Sequence, residues 1–320
     1  MGSAGRKFLL CALLVIFCAL NISVVFASDI KLSSSESPAT AALAGRRVPS
    51  PQRIVSINLC TDELLLRLVG PERVAALTKF STDPEVSTVA VQAKDIRQTQ
   101  GDIEHVLACG PDMVLGGRFS NQETVRFFER SGTPVLVFKV PKSFEDIYSD
   151  IRRLAAAVGE KAKGEEVIKQ MQDELAVLNP DAASGVKSRG AEIEHRELAK
   201  GKRAVFYQSD NYVPGLGTFE NAVMEAAGLR NVAVELGIRD YGRMGLEELI
   251  RARPDVIIFS SEQKKSKTVR GEVLDHPAIK KALPEVKTVT IPTLYLNCGS
   301  PVSVEAERIL VKETNRRKRR

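Results

Sequence analysis

Nine side chains at the ends of short apolar runs are candidates for holding a small molecule. They are Asn58, Phe80, Arg118, Lys139, Tyr207, Tyr212, Tyr241, Arg243 and Tyr295. The aromatic members, with Phe119 beside Arg118, can pack on a flat or catecholate ring. The three cations can pair with an anion, and arginine does so through two parallel hydrogen bonds. The same residue types serve elsewhere as core aromatics and structural ion pairs, so their grouping points to a site more than any one of them does. Cys60, placed near a helix start that lowers a thiol pKa, is the candidate nucleophile. No histidine falls in a neighbouring loop to activate it, and no Gly-x-Ser-x-Gly elbow is present. His105, His195 and His276 are too scattered to form a metal set and read as solvated or helix-capping. Axial heme ligation by histidine is disfavoured for the same reason, whereas ligation by tyrosine stays open. Gly215-Leu216-Gly217-Thr218 stands before a helix as a phosphate-cradling turn does. It lacks the third glycine and the Lys-Ser/Thr of nucleotide loops, and reads as a helix-entry turn. Nothing in these patterns calls for a resident cofactor.

A frame must hold these residues, and the hydrophobic periodicity describes it. Arg53–Ile57, Arg73–Leu77, Asp112–Leu115 and Pro134–Phe138 read as strands, with helices over Thr61–Leu68, Ile103–Ala108 and Gln122–Arg130. Repeated strand, helix, strand order means a mostly parallel sheet. The rhythm then changes. Ser143 caps a helix that Gly159 stops, and apolar Val167, Ile168, Met171, Leu175 and Leu178 mark a long amphipathic helix over Glu160–Leu178. Alternation resumes with strands at Arg203–Tyr207, Asp255–Phe259 and Val286–Ile291 and helices at Thr218–Ala227, Leu246–Ala252 and Ser303–Val311.

An internal repeat relates the two alternating halves. Residues 103–115, from Ile103 through Pro111-Asp112 to Leu115, match residues 246–258, from Leu246 through Pro254-Asp255 to Ile258, apolar for apolar. A glutamate, Glu104 or Glu247, precedes each Pro-Asp at the same distance. Proline breaks the helix and aspartate opens the turn into a buried strand. The halves therefore read as two versions of one domain. The expected fold class is α/β: two Rossmann-like α/β lobes, 53–142 and 180–313, joined by linking helices at 143–179 that include a single long helix, with a ligand cleft between the lobes. Ligands of open parallel sheets sit beyond the carboxyl ends of the strands. Two facing lobes therefore place at one cleft the loops Asn58–Thr61, Lys79–Ser81, Gly116–Asn121 and Lys139–Lys142 with Gln208–Gly217, Tyr241–Arg243, Ser260–Glu262 and Asn297–Gly299.

The chain ends carry their own signals. Arg6 and Lys7 precede an unbroken apolar run from Phe8 to Leu20, and Val25-Phe26-Ala27 suits signal peptidase, so residues 1–27 read as a secretory signal cleaved after Ala27. Neither Cys11 nor Cys18 follows a small residue, which argues against a lipid anchor. Residues 28–52 are rich in Ser, Ala and Pro and read as a flexible leader. Residues 314–320 form a basic tail. The net charge of +6 is misleading: without the two cations of the signal and the five from Arg316 to Arg320 the body is near neutral, about −1. That balance excludes a nucleic-acid-binding body. Three cysteines remain after cleavage, with no CxxC. Cys60 and Cys298 both fall at the expected cleft rim; they either pair and tie the lobes, or stay as two buried thiols.

Residues Arg53–Asn58 with Thr61–Leu65, then Asp102-Ile103-Glu104 with Pro111–Val114, and in the second half Gly228–Asn231, Leu246–Leu249 and Arg253–Val256, are together similar to the helical-backbone class of periplasmic substrate-binding proteins of ABC importers, the ferric-siderophore and vitamin B12-binding type. The resemblance spans about Arg53 to Val311. It implies two α/β lobes bridged by a long helix, a soluble periplasmic monomer, and partners consisting of a small-molecule metal chelate and an ABC permease in the cytoplasmic membrane. It also implies that Glu104 and Glu247 dock the permease, one per lobe. The expected ligand is a ferric siderophore, with a corrinoid or heme as the alternative. An exported cysteine hydrolase using Cys60 is the rival from another class. The absence of Trp sets the chain apart from well-known members.

Overall fold

A computed structural model describes residues 50–178, 201–260 and 270–315. The expected signal segment, most of the leader, residues 316–320 of the basic tail and His195 lie outside these residues; Thr314 and Asn315 end the last helix instead.

Five strands form the first sheet: β1 (Ile54–Ser56), β2 (Val74–Thr78), β3 (Gln98–Thr99), β4 (Met113–Gly117) and β5 (Val135–Phe138). All pairs are parallel, in the order β3-β2-β1-β4-β5. The second sheet holds β6 (Arg203–Phe206), β8 (Arg230–Asn231), β10 (Val256–Ser260) and β11 (Lys287–Ile291). It too is parallel, ordered β11-β10-β6-β8. A short antiparallel pair, β7 (Tyr212–Pro214) with β9 (Tyr241–Arg243), stands apart from both. Strand order reverses between β1 and β4 in one sheet and between β6 and β10 in the other. Those two reversals are where open α/β sheets bind ligands. Mixed α/β lobes with parallel sheets are as the patterning indicates; β3, β7, β8 and β9 were not expected, because each is only two or three residues long and shows no alternation.

Both faces of each sheet are covered, and the alternation along the strands sorts the residues. In β1 and β4, Ile54, Met113 and Leu115 face one cluster while Val55 and Val114 face another. In β6 and β10, Ala204, Phe206, Val256 and Ile258 join that same first cluster, whereas Val205, Ile257 and Phe259 pack on the opposite face. The first cluster is thus shared by the two lobes. Its common members come from α4 (Phe144–Val158) and α5 (Lys161–Leu178), with α8 (Val304–Asn315) packing on α5. Ser143 caps α4 by accepting from the Asp146 N–H at 3.1 Å. Gly159 ends it at φ 81°, the left-handed conformation that favours glycine. Eighteen residues make α5 about 27 Å long.

The sequence repeat is a structural one. Helices α2 (Ile103–Leu107) and α7 (Leu246–Ala252) are followed by Gly110 and Arg253, both left-handed, at φ 57° and 47°. The aspartates after the prolines then hold the start of the neighbouring strand: Asp112 accepts from Arg53 N–H at 2.9 Å, and Asp255 from Arg203 N–H at 2.8 Å. The side chains of Arg53 and Arg203 donate to carbonyls where these helices end, Cys109 and Gly110 just after α2 and Ala252 at the end of α7. An arginine opening the first strand of each lobe thus satisfies the helix end that proline leaves open.

Candidate functional site

An open cleft of about 1140 Å³ lies between the two lobes. Arg118 and Phe119 enter it from the loop after β4, and Val140, Pro141 and Lys142 from the loop after β5. Across from them stand Gln208, Asp210, Tyr212, Glu220, Asp240 and Tyr241, with Phe206, Phe219 and Ser260 behind. Phe119 is 81% exposed and Tyr241 52%, although both are large apolar groups. Exposed aromatics concentrated in one concavity are what a ligand site requires.

Local structure fixes the wall. Gly215-Leu216-Gly217-Thr218 is a helix-entry turn: Gly217 has φ 87°, and Thr218 accepts from the Asn221 N–H, opening α6 (Phe219–Ala226). Asp210, Asn211 and Asp240 all adopt positive φ. Asp and Asn tolerate that region best, and such strain collects at binding sites. Tyr241 donates from its hydroxyl to both oxygens of Glu220, at 3.1 and 3.0 Å, and the Gln208 amide donates to the same carboxylate at 3.2 Å. Desolvation raises the Glu220 pKa, and burial plus the neighbouring carboxylate raises that of Tyr241.

Among the described residues, contacts between the lobes, and one from the linking helix α4 to the second lobe, surround the cleft. Cys60 and Cys298 form a disulfide. Lys142 pairs with Asp240 at 2.9 Å. Phe144 meets Phe219 edge to face at 5.5 Å. Gly299 lies so close to Pro141 that a Cβ would come within 2.6 Å of its ring. The disulfide settles the open question of the two cysteines and removes the free thiolate that a cysteine hydrolase needs. Cys109 remains a free, buried thiol.

Of the candidate residues, Arg118, Tyr212 and Tyr241 line the cleft, as does Phe119. Tyr207 does not: it is fully buried, sharing its hydroxyl proton between the Met244 carbonyl at 2.7 Å and Asn211 Oδ1 at 2.9 Å. Burial pushes its pKa up to about 12. Its role is to hold the strained Asn211 loop in place. Asn58 is consumed in capping α1 (Leu59–Leu68), accepting from the Cys60 N–H at 3.0 Å. Tyr295 packs on the shared core. Phe80, half-exposed, sits beneath the Lys79 ammonium and away from the wall. Lys139 lines a smaller depression with Asp150 and Arg153. Arg243 stacks on the Tyr212 ring at 5.0 Å, behind the residue that faces the cleft. Glu220 and Asp240 were missed. A glutamate in the first turn of a helix is generic, and only the folded chain shows that this one faces the cleft. His105 bonds Asp102 at 2.8 Å, and His276 caps the helix starting at Pro277 by accepting from the Ala278 N–H.

Glu104 and Glu247 are both exposed, and neither side chain makes a hydrogen bond or ion pair among the described residues. Capping is done by other residues: Asp102 accepts from the His105 N–H, and Glu248 from the Gly245 N–H, both at 2.9 Å.

A family model described as periplasmic binding protein matches residues 54–291. A cobalamin-binding protein of Halobacterium salinarum is 22% identical over 259 residues, 80% of this chain and 67% of its own. Among solved structures, the periplasmic heme-binding protein RhuT from Roseiflexus sp. RS-1 in apo form superposes with a TM-score of 0.64 at 22% identity, over 82% of this chain and 99% of that one. The periplasmic heme-binding protein HutB of Vibrio cholerae gives 0.65 at 19% identity, over 82% and 99%. At these identities the superpositions speak for the fold.

Proposed function

Because the chain belongs to the periplasmic binding protein family, we propose that it is the solute-binding component of an ABC importer, capturing a bulky metal chelate in the cleft and handing it to a membrane permease. The observation that carries this reading is the cleft between the lobes, walled by Phe119, Tyr212 and Tyr241. Its volume exceeds the roughly 300–1,000 Å³ of drug-sized sites and suits a macrocycle.

A corrinoid is the ligand this cleft supports best, ahead of the ferric siderophore that the sequence alone put first. The anionic-chelate reading relied on Arg118, Lys139 and Arg243. Two of those stand off the wall. Among the described residues the lining instead sets Arg118 and Lys142 against Asp210, Glu220 and Asp240, with Lys142 already paired. Such a wall suits a nearly neutral, amide-rimmed chelate better than a polyanion. The cobalamin-binding relative agrees with this order. Glu104 and Glu247, one per lobe and free of capping duty, are the proposed permease contacts. Calorimetric titration against cobalamin, heme and ferric siderophores tests the ligand reading: saturable binding of cobalamin supports it, and binding of heme or a siderophore alone overturns the corrinoid assignment.

A further inference from the structure

We infer that Glu220 is the specificity-determining acceptor of the cleft: it takes a hydrogen-bond donor, an amide N–H or amino group, from the bound chelate and turns away chelates whose rim presents carboxylates. This rests on the ligand reading above and deepens it.

The geometry is specific. Glu220 stands in the first turn of α6, at the cleft wall. Tyr241 and Gln208 hold it from two sides. No cation stands within ion-pair distance of it among the described residues; the ammonium of Lys142, also in the cleft lining, pairs with Asp240. An ionised carboxylate offers about four lone-pair sites and accepts only. These two donors leave acceptor capacity on a carboxylate that lines the cleft. Desolvation, the largest influence on its pKa, means the group is already partly withdrawn from water. A half-desolvated acceptor costs least when a ligand donor completes it. A ligand carboxylate brought to the same place meets a like charge with nothing between them to neutralise it, an arrangement that excludes wrong partners. Tyr241 serves both parts of the site, since its ring walls the cleft while its hydroxyl fixes the carboxylate.

A matched pair of probes tests this. Cobinamide carries amides around the corrin ring, and cobyrinic acid carries carboxylates at the same positions. Wild-type protein is expected to prefer cobinamide by about 100-fold or more, and Glu220→Gln to shrink that preference to about tenfold or less, mainly by gaining affinity for the acid. Thermal melts of the variant confirm the fold, and Glu220→Ala provides a second lesion. An unchanged preference in folded Glu220→Gln or Glu220→Ala overturns the inference while leaving the corrinoid reading intact. If neither corrin binds the wild type, the corrinoid reading fails. The comparison then moves to a cationic trihydroxamate complex, ferrioxamine B, against ferric citrate. A preference for ferrioxamine B that Glu220→Gln reduces supports the role of Glu220 for another chelate; no effect, or no binding, overturns it.

Discussion

Single residues decide how the cleft wall is used. Arg118 faces it, whereas Arg243 lies behind the Tyr212 ring. Arg118→Ala is therefore expected to weaken ligand binding by about 1.5–3 kcal/mol, a charge-assisted hydrogen bond, and Arg243→Ala by less than about 1 kcal/mol; calorimetry on both variants reads the difference. A second residue acts on stability. Asp62 is fully buried in α1, accepting from the Thr78 N–H and hydroxyl through one oxygen while its other oxygen has no protein partner. Burial raises its pKa to about 7. The folded state then binds more protons than the unfolded one between about pH 4 and 7, so stability falls as pH rises through that window. Asp62→Asn is expected to flatten this slope and to stabilise the protein at pH 7 by about 1–3 kcal/mol, read from urea melts across pH. The candidate residues were only partly legible in the sequence. Loop position put Arg118, Tyr212 and Tyr241 at the cleft. Tyr207 was placed at the cleft, but strand parity with Val205 puts it in the core cluster on that sheet face.

At the scale of elements, cross-lobe contacts act together with the local turns on the cleft loops. The Cys60–Cys298 bond joins α1 to the segment after β11, closing a loop of sequence separation 238. Non-reducing mass spectrometry is expected to show this pair bonded and Cys109 as the single free thiol among these three cysteines. The double variant Cys60→Ser/Cys298→Ser is expected to lose about 2–5 kcal/mol of stability in denaturant melts; two alkylatable cysteines at 60 and 298 in native protein would contradict the pairing. Helices with strong caps and long apolar stripes, such as α4 and α5, could be read from the chain almost to the residue. Three-residue strands such as β7 and β9 could not, because their pairing depends on the strained Asn211 and Asp240 loops. The pairing of the cysteines was open for a similar reason: sequence gives loop positions but not the angle between two lobes.

For the whole molecule, the shared core beneath the cleft, the long α5 and the disulfide all oppose wide hinge opening, so ligand-linked closure is expected to be small. Exposed Glu104 and Glu247, one carboxylate per lobe, are the proposed permease contacts. Single alanine variants at either site are expected to leave ligand affinity unchanged and lower uptake, with the double variant worst and lysine reversals worse than alanine; wild-type uptake by the double alanine variant in a transporter-dependent growth assay would remove the docking role. The proposed function is capture of one chelate in the aromatic-walled cleft. It is tested by calorimetric titration of the wild type and of Phe119→Ala/Tyr241→Ala with cobalamin. The expected result is one ligand per chain, with affinity at least about tenfold weaker in the double variant. No binding to the wild type, or an affinity untouched by both lesions, would contradict it.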